Sequence, residues 1–161
     1  MGVLHLNSET TTAVAPSRMF KAFILDSPNL LPKLVPQSFK NIELIEGDGG
    51  VGSIKLINFP DGNYYKYVKH RIDVLDKENF VCKYTLIEGD TLGDKLESIV
   101  YEVKFEASSD NGGSVCKVAS EYHTKGDHEI KEEVFKASQE KAVELYKVVE
   151  AHLLANPDLY A

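Results

Sequence analysis

The sequence has little of several features that would place a protein on a membrane, on nucleic acid or outside the cell. Its 161 residues contain two cysteines and no tryptophan. Lys and Arg number 18 against 25 Asp and Glu, which gives a formal net charge of -7. No apolar run approaches the roughly 20 residues that span a bilayer, and the N-terminal stretch lacks the basic and apolar regions of a signal peptide.

These absences exclude several classes of function. Nucleic acids and anionic membranes recruit faces rich in Lys and Arg, so the acidic balance disfavours both as partners. Cys82 and Cys116 stand far apart in strand-like runs, which indicates reduced, buried thiols in a cytoplasmic protein. The five histidines show no metal-ligand spacing, so we expect no metal and no cofactor. The length and the 43% of apolar residues predict one domain over residues 1–161.

From residue 39 onward the hydrophobic pattern alternates with a period of two, and five turn signals interrupt it: EGDGG, PDGN, DKEN, EGDTLGD and SSDNGG. They delimit six strands, and a strand over residues 3–12 makes a seventh. One parity of the alternation predicts an inner, largely apolar and aromatic face. It comprises Lys55, Ile57 and Phe59; Tyr65, Tyr67, Lys69 and Arg71; Phe80, Cys82, Tyr84 and Leu86; Ile99, Tyr101, Val103 and Phe105; Cys116, Val118, Ser120 and Tyr122.

Two further segments predict helices. AVAPSRMFKAFILDSPNLLPKLVP is typical of two short helices, with Ser27 as the N-cap of the second. The C-terminal segment predicts an amphipathic helix of about 28 residues and about 40 Å, from Asp127 as N-cap to the stop at Asn156-Pro157. A curved antiparallel sheet with this helix across its concave face satisfies both patterns.

The apolar arc of the long helix carries small residues, Ser138 and Ala142, near its middle. Two interpretations remain open from the pattern alone. Either a space is left between helix and sheet, or bulky sheet residues such as Phe59, Tyr67 and Tyr84 fill it.

The stretch GDGGVG reads G-x-G-x-x-G, but its context is wrong for a nucleotide. A dinucleotide fingerprint opens a helix, whereas the following SIKLINF alternates as a strand. The Walker pattern also fails, because Ser53-Ile54 stand where Lys-Ser/Thr is required. We interpret the stretch as a β-hairpin turn whose glycines adopt positive φ, with weak anion binding left open. Its residues are Gly47, Asp48, Gly49, Gly50, Val51 and Gly52.

Five stretches together carry a family resemblance: FKAFILD, PQSFKNIELIEGDGGVGSIKLINF, YVKHRID, YTLIEGD and SEYHTKGDHEIKEE. They resemble the plant class-10 pathogenesis-related proteins, the family of the major birch-pollen allergen, and the resemblance extends over the whole chain. It implies a START-like, α+β helix-grip fold: a seven-stranded curved antiparallel sheet around a long C-terminal helix, two short helices in a V, and an internal hydrophobic cavity. Of the two interpretations above, it favours the cavity.

The resemblance also implies a function, which is intracellular binding, storage or transport of small amphipathic ligands linked to plant defence and stress. The ligand classes are flavonoids, phytohormones such as cytokinins or brassinosteroids, and fatty acids. A monomer is expected, with a weak dimer as the alternative.

Lys141 lies at the edge of the apolar arc, so it either pairs with an anionic ligand or extends into solvent. The implied ligand-binding residues are Phe23, Asn29, Leu31, Lys55, Ile57, Phe59, Tyr65, Tyr67, Cys82, Tyr84, Tyr101, Val103, Cys116, Val118, Val134, Ala137, Ser138, Lys141 and Ala142.

Two enzymatic alternatives stay open, although we expect no catalytic cycle. A ribonuclease would use Lys55, Glu97 and Glu150, with His152 where relatives have Tyr, because these groups suit general acid-base cleavage. A cavity-based enzyme of plant secondary metabolism would need a desolvated lysine, for which Lys55 is the candidate. We interpret Lys55 instead as part of a polar cavity end beside Arg71 and nearby acids. Antibodies are a further implied partner, through the exposed glycine-rich hairpin.

Overall fold

The structure of the protein, a computed structural model, describes residues 2–62, 66–108, 112–126 and 132–161, without the side chains of residues 132–135, 137 and 138. Along these residues, one strand precedes two short helices, six strands follow them, and a long helix comes last. The order is β1 (Val3–Thr12), α1 (Pro16–Phe20), a π-helical segment (Lys21–Leu25), α2 (Ser27–Leu34), β2 (Asn41–Glu46), β3 (Ile54–Asn58), β4 (Tyr67–Asp76), β5 (Val81–Gly89), β6 (Leu96–Ala107), β7 (Ser114–Thr124) and α3 (Glu132–Ala155).

The strands form one antiparallel sheet in the order β1-β7-β6-β5-β4-β3-β2. The consecutive strands β1 and β2 therefore lie at opposite edges, and the two short helices lead the chain from one edge to the other. Register shifts interrupt the β4–β5 ladder between Lys69 and His70 and again between Ile72 and Val74. Such bulges bend a strand and increase its twist. The predicted helix-grip fold class is confirmed.

The short helices differ in one respect from the sequence prediction. α1 continues into the π-helical segment, in which the Asp26 N–H donates to the Lys21 carbonyl oxygen at 2.8 Å. α2 begins at Ser27, so the prediction of Ser27 as its N-cap is wrong. The reason is that the Asp26 carbonyl oxygen accepts the first hydrogen bond of the helix, from the Leu30 N–H at 2.9 Å, which makes Asp26 the N-cap.

α3 is packed unevenly along its length. It ends at Ala155, directly before the predicted stop, while the predicted N-cap Asp127 lies outside the described residues. Tyr146, Val149 and Leu153 in its C-terminal half are buried. Earlier in the helix, by contrast, Ala142 is exposed. The helix is thus anchored at its C-terminal end.

Arg18 of α1 fixes that end of α3. Its Nη2 donates to the carbonyl oxygens of Leu153 at 2.9 Å and Asn156 at 2.8 Å, and its Nε donates to that of Leu159 at 3.0 Å. The last four carbonyl groups of a helix have no partner within the helix, and a cation there also interacts favourably with the helix dipole. Arg18 therefore bonds one carbonyl group of the last helical turn, that of Leu153, and two in the residues after it, and attaches this end to the short helices.

The buried apolar side chains described here form two clusters. The larger lies where the short helices, α3 and strands β5 to β7 meet, and Phe20, Phe105 and Leu153 are at its centre. The smaller joins strands β3 to β7, and it comprises Ile57, Val68, Leu86, Leu92, Leu96, Ile99 and Tyr122.

We predict that Arg18→Ala lowers the free energy of unfolding by about 2 kcal/mol, because hydrogen bonds from charged donors contribute about 1.5–3 kcal/mol. Arg71→Ala is the matched control, since Arg71 forms a half-exposed pair with Asp73 and such pairs contribute about 0–1 kcal/mol. Urea unfolding followed by circular dichroism measures both variants. Equal losses in the two would contradict the assigned role of Arg18.

Candidate functional site

A cavity of about 310 Å³ lies between the sheet and α3. All seven strands contribute side chains to its wall, and the π-helical segment, α2 and α3 complete it. Most of these side chains are apolar or aromatic. Of the three residues expected to fill the space in the alternative interpretation, Tyr84 lies on the wall, whereas Phe59 and Tyr67 do not. The cavity interpretation is therefore the correct one.

Many of the residues implied by the resemblance lie on this wall. They come from the π-helical segment, α2, strands β3 and β5 to β7, and α3. They are Phe23, Leu31, Lys55, Ile57, Cys82, Tyr84, Tyr101, Val103, Cys116, Val118 and Ala142. Tyr65 and the side chains of Val134, Ala137 and Ser138 lie outside the described residues.

Four other implied residues are placed elsewhere, and Tyr67 is one of them, on the outer side of β4. Asn29 points away from the cavity, because its Nδ2 donates to Asp26 Oδ1 at 2.9 Å on the surface. Phe59 follows the end of β3 and packs against the ring of Phe39, with 6.4 Å between ring centroids. Lys141 is exposed on α3, which agrees with the alternative in which its side chain extends into solvent.

The prediction was wrong about which side of β4 faces inward. Tyr67, Lys69 and Arg71 lie on the outer side, where the Tyr67 hydroxyl donates to Glu88 at 2.9 Å and Lys69 pairs with the same carboxylate at 3.0 Å. Inward-facing positions on β4 are His70 and Ile72 instead. The aromatic side chain of Tyr67 led to the assignment of its parity to the inner face, although the charged residues Lys69 and Arg71 have the same parity.

Sequence reasoning also left out other wall residues. Those on β1 were recoverable, because Leu6, Ser8 and Thr10 pair with Ser120, Val118 and Cys116 and thus share their face. Those on α2, on the loop after it and on α3 depend on tertiary packing, which no periodicity reveals. Ser120 and Tyr122 were assigned to the inner face by the alternation but were not among the implied ligand-binding residues. The other omitted residues are Leu6, Ser8, Thr10, Ile24, Ser27, Phe39, Ile42, His70, Ile72, Gln139, Val143, Leu145 and Tyr146.

A row of four rings crosses the wall from β4 to β7, and we call it the ring row: His70, Tyr84, Tyr101 and Tyr122. The centroids of His70 and Tyr84 are 4.9 Å apart, those of Tyr84 and Tyr101 are 5.1 Å apart, and Tyr101 and Tyr122 share a side-chain hydrogen bond. Burial raises the pKa values of Tyr84 and Tyr101. Burial and the nearby charge of Lys55 lower the pKa of His70 to about 4. These three rings are therefore uncharged at neutral pH.

The two cysteines on the wall are also uncharged. Burial raises the pKa of the Cys82 thiol to about 11 and that of Cys116 to about 12, and both are free thiols. Because the thiolate is the nucleophile and the metal ligand, neither cysteine is poised for such chemistry. In the described ranges, no group of three or more His, Cys, Asp or Glu is placed to hold a metal ion.

The glycine-rich stretch forms the β2–β3 hairpin turn, as predicted. Gly47, Gly49 and Gly52 have φ values of 83°, 101° and 87°. The N–H of Gly49 donates to Ser53 Oγ, that of Gly50 to Asp48 Oδ1 and that of Gly52 to the Ile72 carbonyl oxygen, at 2.9, 3.0 and 2.7 Å. These three donors are therefore not available to bind an anion.

The structure does not bring the ribonuclease residues together. Lys55 lines the cavity, while Glu97 is exposed at the start of β6 and Glu150 and His152 are half-buried on the last turns of α3. In the described part of the chain, no hydrogen bond or ion pair joins any two of them. β3 and β6 are three strand spacings apart in the sheet, about 14 Å at about 4.8 Å for each spacing, so Lys55 and Glu97 are not placed to act on one phosphate.

A curved antiparallel sheet, a long helix across its concave face and an apolar cavity between them define a helix-grip protein. Among the described residues, no helix has the length and apolarity needed to cross a bilayer. The model of the Pathogenesis-related protein Bet v 1 family matches residues 1–156, and the chain belongs to this family.

Curated relatives match over almost the whole chain. The major allergen Pru ar 1 of Prunus armeniaca is 56% identical over 160 residues, which cover 99% of each chain. The pathogenesis-related protein STH-2 of Solanum tuberosum is 58% identical over 161 residues, all of both chains. Among solved structures, that of Ara h 8.0201 has a TM-score of 0.86 at 35% identity and covers 96% of this chain and 100% of its own. Ginseng major latex-like protein 151 from Panax ginseng shares the fold, with a TM-score of 0.78 at 21% identity and coverage of 93% and 97%.

His70 predicts how stability depends on pH. Its folded-state pKa of about 4 lies below the ordinary value of 6.5, so the unfolded chain binds a proton between these values that the folded chain does not. Stability is therefore lost as pH falls from 6.5 to 4. We expect His70→Gln to reduce that loss by on the order of 2 kcal/mol. The whole pKa shift would correspond to more than this at about 1.4 kcal/mol per pKa unit, and we expect less because the ring is only partly buried.

Urea unfolding at pH 7 and pH 4.5 measures the effect. His5→Gln is the control, since it removes an exposed imidazole from β1. If His70→Gln lost as much stability on acidification as the unmodified protein, the His70 imidazole would not be the cause.

Proposed function

We propose that the protein binds small amphipathic molecules in its cavity and serves as a cytosolic carrier or buffer for them in plant defence and stress. The observation that carries this proposal is a largely apolar cavity of about 310 Å³ with a few convergent polar groups. Ligand sites in proteins start at about 300 Å³ and have this mixture of linings. Family membership and relatives named as pathogenesis-related proteins support the link to defence.

The wall favours ligands with flat rings and peripheral hydroxyl groups. The ring row offers aromatic faces, against which a ligand ring gains about 0.5–1.5 kcal/mol beyond simple burial. Apolar area buried in the cavity adds about 25 cal/mol per Å². Hydroxyl groups of Ser8, Thr10 and Ser120 on the wall supply hydrogen bonds. Flavonoids match this chemistry best among the implied classes, ahead of cytokinins, brassinosteroids and fatty acids.

The position of Ala142 on α3 indicates where such ligands would enter the cavity. Ala142 lines the cavity and is nevertheless exposed to solvent, and its neighbours Glu140 and Lys141 are exposed as well. A small side chain at this point leaves room between the helix and the sheet. We propose that ligands pass there.

Binding suits the wall better than acid-base catalysis does. General acid-base groups work best when their pKa values lie near the ambient pH. The pKa of His70 is about 4, while those of Cys82 and Cys116 are about 11 and 12. The free thiols also agree with a reducing compartment.

Antibodies against the allergen relatives are proposed to bind the exposed hairpin around Val51, which is 67% exposed.

We predict that Ser120→Phe weakens binding of a flavonoid such as quercetin at least about tenfold, or about 1.4 kcal/mol, because a new ring would occupy the cavity. Ala119→Phe is the matched control, because successive residues of a strand point to opposite faces and Ala119 is exposed. Displacement of a solvatochromic dye measures affinity, and urea unfolding verifies the fold of each variant.

Unchanged affinity in a folded Ser120→Phe protein would place the ligand elsewhere. Should that variant fail to fold, Ala142→Phe at the opening provides the same test.

A further inference from the structure

Lys55 is the only lysine or arginine that lines the cavity in the described part of the chain. It lies on β3 opposite His70 of β4, which is the first ring of the ring row. Residues paired across two strands have Cβ atoms about 5 Å apart. The amine thus belongs to the end of the cavity at which the aromatic faces begin.

Apolar residues flank the Lys55 side chain on two sides. A second hollow of about 190 Å³ adjoins the cavity, and Ile24, Lys55 and Ile72 belong to the walls of both. Leu44 and Leu75 complete much of the smaller one. The expected position of Lys55 beside Arg71 is wrong, because Arg71 lies on the outer face and pairs with Asp73.

No carboxylate accompanies this lysine: among the described residues, neither hollow is lined by an Asp or Glu. The titratable groups that face Lys55 are His70 from β4 and Cys82 and Tyr84 from β5, and all are uncharged at neutral pH. An ammonium in a largely apolar cavity without a counter-charge is unfavourable. Desolvation accordingly lowers the pKa of Lys55, an effect that Cys82 partly opposes. A lowered pKa raises the fraction of Lys55 that is present as the neutral amine, and this form is the nucleophile.

We propose that Lys55 is a reversible covalent capture site for aromatic aldehydes that enter the cavity. The nitrogen lone pair of the neutral amine attacks the carbonyl carbon, and the C=O double bond opens to a carbinolamine. The carbinolamine then loses its oxygen and the two amine hydrogens as one molecule of water, which leaves a C=N imine. The step needs no oxidant or reductant. It rests on the proposed function, since the aldehyde must first bind in the cavity.

The geometry selects the aromatic class of aldehyde. A flat ring stacked on Tyr84 and Tyr101 would extend towards His70, and a carbonyl group at its edge would meet Lys55. Lysines on the outer face lack this environment, since Lys69 and Lys117, for example, pair with Glu88 and Glu106. An ammonium held in such a pair does not attack a carbonyl.

The test uses 2-naphthaldehyde with sodium cyanoborohydride at pH 7, followed by peptide mass mapping of the full-length protein. Reduction converts the imine into a stable secondary amine. We expect the adduct to form at Lys55 at least about tenfold faster than at the exposed Lys141, because binding in the cavity holds the carbonyl carbon beside the Lys55 amine and raises its effective concentration. Lys55→Met should lose the adduct, with Lys55→Arg as the second variant if the first does not fold.

The alcohol 2-naphthalenemethanol separates this proposal from the proposed function, because it has the same ring but no carbonyl group. If the alcohol displaces a cavity dye while the aldehyde leaves no adduct at Lys55, capture is refuted and cavity binding stands. Adducts spread over Lys55, Lys141 and other surface lysines at similar rates would refute capture as well. If neither compound displaces the dye and no adduct forms, both proposals fail.

Discussion

The attachment of the C-terminal end of α3 to the short helices is the constraint on which the rest of the structure depends. Arg18 donates to three carbonyl groups at that end, and the Tyr160 hydroxyl donates to Asp26 just before α2. The larger apolar cluster packs around the same point. Because the helix is held there, its earlier turns can span the concave face of the sheet without being packed against it. The cavity is the space that this arrangement leaves.

An apolar cavity determines the charge states of the polar groups that line it. Desolvation disfavours whichever form carries charge, so it raises the pKa values of buried tyrosine and cysteine and lowers those of histidine and lysine. The same cause acts on Tyr84, Cys82, His70 and Lys55. For Tyr84, Cys82 and His70 the shift moves the pKa away from the ambient pH, so these groups stay neutral, which suits binding. For Lys55 alone the shift moves the pKa towards the ambient pH, which is why its chemistry differs from that of the rest of the wall.

Period-two alternation and turn signals were enough to predict the strands, and the family resemblance named the fold. The same alternation failed on β4, because Tyr67 and Tyr65 suggested an inward face that Lys69 and Arg71 contradicted. A strand with aromatic residues on both parities cannot be oriented by hydrophobicity alone. Its neighbour orients it: Ile57 pairs with Val68 and Lys55 with His70, so the inward face of β3 decides that of β4. Wall residues on α2 and α3 depend on how the helices dock, which local patterns do not contain.

The glycine-rich hairpin contributes to the site through this register, although it binds no nucleotide. A Cβ at Gly47 would lie 2.9 Å from the Ser53 Cα, so only glycine permits the chain to return so closely. Beyond the turn, Gly52 and Ser53 exchange backbone hydrogen bonds with Ile72, which extends the β3–β4 ladder up to the loop. A slip of one residue would turn every side chain of β3 to the opposite face. The glycines therefore fix the register that places Lys55 inside the cavity, three residues after Gly52.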